Sequence, residues 1–523
     1  MFIFITITVL LLTAIGLLGL QLTPPATRYS WVIATVGALA GWVSVFLWQL
    51  QIPLALQLPG WEPVNLLKVN PGLLADDLTW VLALSLTGLC LAIMVTAATR
   101  PEFPSPLNWV SIAAITAFGL LAITSGNPLT LVLLWAALDL VDLLSQLRLV
   151  ENPRLNERLV ISFATRAIGI LLLLWADRIA STSGQVLDFA QSSALPASTG
   201  VYMLLAVAFR LGIFPLHLPI GEGVTAQRGL RTALQMNSAA ASLVLLARIP
   251  VGSISAAPWP GIAMLIGVIG VYAGWMWLRA PSELAGQPYW LVGLGTLAMA
   301  AALQGNPASV IAWSAALISV GSALFLFAEH NRWLTRFLLV GAWSLSALPF
   351  SLTASGWLAA QPLFLPAVPL MLITQAMLLA GYIRQSQRML TQTRSEEQPV
   401  WARNVYPIGI GLLLIQVIVL GLYGWRGSLQ FGNFIPSAIA AGLAFVLLGL
   451  TARLRILNPV RAHWVRPANA SWLEWGYRTV WQIYRQFARL SNALTHMLEG
   501  ESGMMWTLLM LALFISFFAN RSP

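Results

Sequence analysis

The sequence has few charged residues for its length. Only 9% of its 523 residues are Asp, Glu, Lys or Arg, whereas 58% are hydrophobic. Soluble domains carry about 25% charged residues, so this composition excludes a water-soluble globular protein. At about 20 residues for each membrane crossing, the sequence predicts an all-α polytopic membrane protein.

Residues that bind metals and cofactors are also scarce. Cys90 is the only cysteine, whereas an iron–sulfur cluster needs about four ligands. The four histidines lack the spacing of a zinc site, and no glycine-rich nucleotide fingerprint follows a strand. The sequence therefore predicts no metal, no cofactor and no catalytic centre of its own. The histidines are His217, His330, His463 and His496.

The basic residues are almost all arginines. Lys68 is the only lysine among 28 basic residues, which outnumber 18 acidic residues and give a net charge of +10. Basic residues collect in the cytoplasmic loops of membrane proteins, so we interpret the excess as a sign of topology and not of nucleic-acid binding.

Sixteen apolar segments are long enough to be membrane helices. The first lacks the basic start and cleavage site of a signal peptide, and we interpret it as a retained helix. The segments are 2–21, 31–50, 78–97, 108–125, 128–147, 158–177, 199–218, 229–248, 261–279, 288–303, 307–328, 335–355, 361–383, 405–424, 432–452 and 503–520.

Charge placement supports this count. The loops after odd-numbered segments hold 21 arginines, and the loops after even-numbered segments, with the C-terminal tail, hold five basic residues. Because basic loops stay in the cytoplasm, the pattern predicts that both termini lie on the non-cytoplasmic side. A miscounted helix would have mixed the two sets of loops.

The segments group into six regions. Residues 1–100 contain helices 1–3, residues 101–250 and 251–385 contain helices 4–8 and 9–13, and residues 386–455 contain helices 14–15. Residues 501–523 contain the last helix. Between them, 456–500 has apolar residues at helical spacing with arginines among them, which predicts an amphipathic helix. It lies on the membrane surface or packs against protein.

Two predicted helices are interrupted in comparable ways. Helix 7 contains Gly212 and Pro215, and helix 12 contains Pro349. The two lie five helices apart and therefore cross the membrane in opposite directions. Proline kinks are common in membrane helices, but broken helices in two inverted halves are typical of a transporter site.

Ionisable residues inside the apolar segments are few. Helix 5 carries Asp139 and Asp142, helix 6 carries Arg166, and helix 7 carries Arg210 and His217. Charges in lipid are costly and are usually paired or functional. We therefore predict that Arg210 pairs with one of the two aspartates and Arg166 with the other, and that these residues are candidates for an ion pathway. Because arginine keeps its proton in proteins, we interpret the arginine–aspartate pairs first as a structural clamp. His217 either takes up and releases a proton or caps the broken helix.

Four stretches carry a resemblance to a known family: Ala75–Leu78, Ala208–His217, Ala342–Gly356 and Leu498–Trp506. They resemble the antiporter-like membrane subunits of proton-pumping NAD(P)H–quinone oxidoreductase (complex I) and of multisubunit Na⁺/H⁺ antiporters. The resemblance implies two inverted five-helix repeats, helices 4–8 and 9–13. It also implies other membrane subunits as partners, translocation of protons or Na⁺, and a bacterial plasma membrane or a thylakoid membrane as the location.

The sequence departs from the family where the family carries its titratable residues. Ala136 follows Trp135 where the family has glutamate, and the lysine of helix 7 is Arg210. The lysine of helix 8 falls on Ala240, and the ionisable positions of helix 11 fall within Leu317–Ser322, where none is ionisable. The helix 12 position falls near Ser355 or Trp357.

Three functions remain open on this basis. The first is a membrane-arm subunit of a complex-I-like or related complex that contributes to ion translocation. The second is a degenerate, structural subunit of such a complex without its own ion path, or else a subunit of a multisubunit cation/proton antiporter. The third is a stand-alone solute carrier. Polar residues such as Gln235, Asn237, Ser238 and Ser322 can hold water, so the loss of charge does not exclude the first.

Overall fold

The computed structural model describes most of the chain up to residue 454. The amphipathic segment 456–500, apart from residue 482, and the last predicted span lie outside the described residues, as do Pro215 and His217. The described residues are 2–21, 27–57, 70–97, 106–148, 153–190, 195–196, 198–214, 228–250, 253–254, 259–327, 332–388, 400–425, 429–454 and 482.

Fifteen α-helices lie in the described part of the chain, and each overlaps one of the first fifteen apolar segments. Ten are long and apolar enough to cross a membrane. An integral, multi-pass, all-α membrane protein is therefore confirmed, while sixteen spans and inverted repeats stay predictions. The helices are α1 (Phe2–Gln21), α2 (Thr27–Leu47), α3 (Asp77–Ala97), α4 (Pro106–Ile123), α5 (Pro128–Leu147), α6 (Pro153–Thr182), α7 (Thr199–Leu211), α8 (Arg228–Ala247), α9 (Trp259–Arg279), α10 (Glu283–Leu303), α11 (Pro307–Leu326), α12 (Arg332–Leu345), α13 (Ala367–Arg388), α14 (Val400–Tyr423) and α15 (Phe434–Leu454).

The helices divide into an interior group and a peripheral group. Helix α11 is buried from Ser309 to Leu326 and packs against α3, α8, α10 and α14. By contrast, α1, α6 and α15 expose large apolar side chains such as Leu12, Leu171 and Phe445. Large exposed apolar surfaces mark contact with a membrane or with another protein, so the burial pattern agrees with a membrane protein.

Two sets of five consecutive helices have the same packing neighbours. Helix α4 packs against α5 and α8, and α9 packs against α10 and α13. Likewise α5 packs against α6, as α10 packs against α11. Each of these packing pairs within α4–α8 therefore corresponds to a pair within α9–α13 when five is added to both helix numbers.

The structure corrects the predicted start of helix 10. The segment was expected to begin at Pro288, but α10 begins at Glu283, where the Ser282 hydroxyl accepts a hydrogen bond from the Ala285 amide (3.2 Å). Proline has no amide proton, so Pro288 leaves the Leu284 carbonyl without its helical donor. The Arg231 guanidinium of α8 donates to that carbonyl instead (3.2 Å).

The two predicted helix interruptions lie just after the ends of α7 and α12. Gly212 has φ +72° and terminates α7 in the left-handed conformation, which glycine adopts without steric cost. Helix α12 was expected to extend to residue 355, but it ends at Leu345, and Ala347 has φ 56°. Pro349 therefore lies beyond the helix, in the irregular segment that precedes α13.

A short hairpin lies in the loop before α3. Strand β1 (Leu54–Gln57) pairs antiparallel with β2 (Gly72–Ala75), with Leu54 opposite Ala75. The amide of Leu74 donates to the Thr124 carbonyl (2.6 Å). The hairpin therefore ties this loop to the end of α4.

Candidate functional site

Four charged side chains meet between α5, α6 and α7, and we call them the ion-pair cluster: Asp139, Asp142, Arg166 and Arg210. Arg210 binds Asp139 through two hydrogen bonds, from Nη1 to Oδ2 (2.6 Å) and from Nη2 to Oδ1 (2.9 Å). Arg166 binds Asp142 from Nη2 to Oδ2 (2.5 Å) and approaches Asp139 Oδ1 with Nη1 (3.4 Å). Asp139 therefore contacts both arginines.

The cluster is buried and formally neutral, with two carboxylates and two guanidinium groups. The Arg210 side chain has no exposed surface, and none of the four side chains is more than 9% exposed. Removing charges from water costs several kcal/mol for each ion, and only good geometry with further hydrogen bonds offsets that cost. The two-point contact between Arg210 and Asp139 has this geometry.

Neighbouring helices hold Arg210 in place. Its guanidinium carbon lies 4.3 Å from the centroid of the Trp135 ring, and its Nε donates to the Ser242 hydroxyl of α8 (3.2 Å). The Trp135 indole in turn donates to the Ala241 carbonyl (2.9 Å). A β-carbon at Gly169 would lie only 2.7 Å from Arg210 Cγ, so glycine at that position lets α6 approach α7.

Asp142 and Arg166 have looser surroundings. Gln146, one turn further along α5, donates to Asp142 Oδ1 (2.5 Å). The Nε of Arg166 is buried without a hydrogen-bond partner among the described residues. An unpaired buried donor of this kind is commonly satisfied by an ordered water.

Helix α8 presents a continuous row of polar side chains, which we call the α8 polar stripe. Its members follow at spacings of three and four and therefore lie on one helix face. Gln235 and Ser238 are partly exposed although the residues between and beside them are buried. The stripe consists of Arg228, Arg231, Gln235, Ser238 and Ser242.

Salt bridges fix both ends of α8. At its start, Arg228 binds Glu283 (2.6 Å) and also donates to the Phe327 carbonyl (3.0 Å). Just after its end, Arg248 binds Asp76 (2.7 Å). Asp76 also accepts from the Thr79 amide (3.0 Å), so it caps α3 and connects α3 to α8.

Helices α10, α11 and α13 carry buried polar residues without charge. Helix α11 has no ionisable residue, and the hydroxyls of Ser319 and Ser322 are buried without partners in the described part of the chain. Both amide atoms of the fully buried Gln287 are also unpaired there. Near the break after α12, Gln375 accepts from the Trp357 indole (2.8 Å) and donates to the Leu345 carbonyl (3.1 Å).

The structure brings four of the predicted site residues together and leaves others apart. Asp139, Asp142, Arg166 and Arg210 form the ion-pair cluster, and Gly212 lies two residues after Arg210. Pro349 lies between α12 and α13. The sequence analysis did not single out Ser242, Gln146 or Gly169, because an uncharged residue in an apolar helix gives no signal before its neighbours are known.

Within the described residues, no group of three or more histidine, cysteine or acidic side chains that could hold a metal ion occurs.

Neither a protein-family model nor a curated protein matches the sequence. Solved structures do match its fold. A chain of the Mrp complex from Dietzia sp. DQ12-45-1b matches the whole of this chain, with a TM-score of 0.68 and 15% identity. This chain spans 63% of that chain's length. The expected likeness to the antiporter-like subunits is confirmed for the fold.

Two further complexes have the same fold. A chain of the membrane-bound sulfane sulfur reductase, an archaeal respiratory membrane complex, covers 97% of this chain with a TM-score of 0.61 and 14% identity. A chain of respiratory complex I from Thermus thermophilus covers 84%, with a TM-score of 0.61 and 16% identity. This chain spans 99% of each of those chains.

Proposed function

We propose that the chain is a membrane subunit of a multisubunit complex, of the complex-I-like oxidoreductase or cation/proton antiporter type, and contributes to translocation of protons or Na⁺. The ion-pair cluster carries this proposal, because charged side chains buried in membrane helices are costly and mark ion pathways. The fold shared with chains of the Mrp complex and complex I supports it. Redox chemistry belongs to partner subunits.

Arg210 and Arg166 supply fixed positive charge in this proposal. Arginine does not release its proton in proteins, so the guanidinium groups act as fixed charges beside the two carboxylates and do not carry protons. Water bound along the α8 polar stripe is the proposed carrier. The stripe begins at the Arg228–Glu283 salt bridge and ends at Ser242, which contacts Arg210.

The matching helix neighbours support two five-helix repeats, α4–α8 and α9–α13. In the proposed second repeat, neutral groups take the place of charged residues. They are the unpaired hydroxyls of Ser319 and Ser322 and the Gln375–Trp357 contact. A path there would consist of water and neutral polar groups.

A scaffolding subunit without its own ion path is the second candidate. It is favoured by the uncharged centre of α11 and by the formal neutrality of the ion-pair cluster. A neutral, tightly paired cluster stabilises helix packing whether or not ions pass.

The experiment is ion transport by the assembled complex in membrane vesicles. We expect Asp139→Asn to lower proton or Na⁺ uptake at least tenfold, because it leaves Arg210 without its two-point partner. Asp188→Asn makes the same chemical change in a loop, where Asp188 accepts from the nearby Ala190 amide, and should leave uptake unchanged. Normal uptake by an assembled Asp139→Asn complex would contradict a transport role and favour the scaffold.

The partners define the type of complex. Extraction in a gentle detergent should bring other membrane subunits with the chain. Subunits that carry iron–sulfur clusters or nucleotide sites would identify an oxidoreductase, and membrane subunits alone would identify an antiporter. A solitary chain with full transport activity would contradict the proposal.

A further inference from the structure

Three arginines gather where α9 and α13 end side by side. Arg279 is the last residue of α9, and Arg388 is the last residue of α13. Arg384 donates to the Leu278 carbonyl, and Arg388 donates to the Ala280 carbonyl (2.6 Å). The two helices pack along their length, so these contacts hold all three guanidinium groups at one end of the bundle. We call them the arginine triad.

The surroundings of the triad are strongly basic among the described residues. Arg384 lies near enough to Arg388 and Arg279 for the like charges to repel. The carboxylate of Glu283 attracts Arg388 but already binds Arg228 at 2.6 Å. The Glu283 carboxylate is thus shared between Arg228 and Arg388. The three like-charged guanidinium groups of the triad therefore favour an anion beside them.

Arg279 also lies on the lipid-facing side of α9. Leu265 and Val268 are 44% and 55% exposed, and Trp275 and Arg279 continue the same face at spacings of seven and four. The Arg279 guanidinium lies over the Trp275 ring, 5.3 Å from its centroid. Tryptophan and arginine at the end of an apolar face mark the headgroup level of the bilayer.

One donor of Arg279 points to a missing acceptor. Its Nε is buried and has no hydrogen-bond partner in the described part of the molecule. Guanidinium groups bind phosphate through two parallel hydrogen bonds, and basic pockets between membrane helices bind anionic headgroups.

We propose that the arginine triad binds the phosphate of an anionic phospholipid, whose acyl chains lie along Leu265 and Val268. The triad supplies the charge, and the apolar face of α9 selects a lipid over a soluble phosphate. This site is separate from the ion-pair cluster, and its test does not depend on transport.

The test compares variants of the purified full-length protein, delipidated and then titrated with phosphatidylglycerol in detergent. Binding is followed by native mass spectrometry and by the thermal unfolding midpoint. Arg279→Gln should weaken phosphatidylglycerol binding about fivefold, the factor that one basic residue contributes near an anionic surface. Arg279→Lys, which keeps the charge but loses the planar fork, should give an intermediate affinity.

Arg178→Gln is the matched control, because Arg178 is an exposed arginine near the end of α6. It removes the same charge from another helix and should leave phosphatidylglycerol binding unchanged. Equal binding by the Arg279→Gln and Arg178→Gln variants would overturn the proposal. So would equal affinity for phosphatidylcholine, or equal stabilisation by inorganic phosphate at the same concentration, which would indicate a site for soluble anions.

Discussion

The two aspartates of the ion-pair cluster have different roles although they lie on one face of α5. Asp139 accepts three contacts from two arginines, and its oxygens lie 2.6 to 3.4 Å from their nitrogens. Asp142 contacts Arg166 and the neutral Gln146. Loss of charge at Asp139 therefore weakens contacts with two arginines, whereas loss of charge at Asp142 weakens contact with one.

This asymmetry predicts an order of stability. Asp139→Asn should destabilise the protein by about 3–5 kcal/mol, the cost of leaving a buried charge unpaired, and Asp142→Asn should destabilise it less. The double variant Asp139→Asn/Arg210→Gln should recover part of the loss, because it removes both charges. Thermal unfolding of the purified variants measures the order, and a double variant less stable than Asp139→Asn would contradict it.

Sequence reasoning located the charged residues of the cluster but not their geometry. The spacing of Asp139 and Asp142 by three residues placed them on one helix face, and the scarcity of buried charge left Arg166 and Arg210 as partners. The shared contact of Asp139 with both arginines depends on how closely α6 approaches α7. That distance is set by Gly169, whose importance no local pattern indicates.

At the scale of helices, α6 and α7 depend on this glycine. A β-carbon at Gly169 would lie 2.8 Å from the Ala206 carbonyl oxygen, and backbone atoms yield less readily than a flexible side chain. Gly169→Ala should therefore lower the thermal unfolding midpoint. Gly16→Ala in α1, where no atom lies within 4 Å, should raise stability by as much as about 1 kcal/mol. A Gly169→Ala protein as stable as the parent would contradict the close packing.

Helices α8 and α10 are joined by a contact that a proline creates. Arg231 binds the Leu284 carbonyl that Pro288 leaves without a helical donor. Arg231→Met should destabilise the protein by about 1 kcal/mol or more. Pro288→Ala should offset part of that loss, because alanine restores an amide donor one turn after Leu284. No recovery of the unfolding midpoint in the double variant would show that the proline is not the cause.

Hydropathy predicted where helices occur better than where they begin and end. The apolar runs located α10 and α12, but α10 starts five residues before Pro288, because the Arg231 guanidinium replaces the helical donor that the proline lacks. Helix α12 ends at Leu345, although the apolar run continues. The hairpin of Leu54–Gln57 and Gly72–Ala75 escaped notice because its strands have only four residues each and lie far apart in sequence.

At the scale of the whole molecule, scarcity of charge has two consequences. It allows a buried helix such as α11, which is surrounded by other helices and carries no ionisable residue. It also means that the charges in the described residues gather in the ion-pair cluster and at helix ends, where they set contacts between helices. The predicted orientation rests almost wholly on arginines, since Lys68 is the only lysine.

The predicted orientation has a direct test, because Cys90 is the only cysteine and is buried, with 1% of its surface exposed. A membrane-impermeant maleimide should therefore label the parent protein weakly. Ser183→Cys, exposed just after α6, should react in intact cells, because loops after even-numbered helices are predicted to lie outside. Gln387→Cys, exposed near the end of α13, should react only after the membrane is permeabilised. Labelling of Gln387→Cys in intact cells, with protection of Ser183→Cys, would reverse the orientation and place the arginine triad on the outer surface.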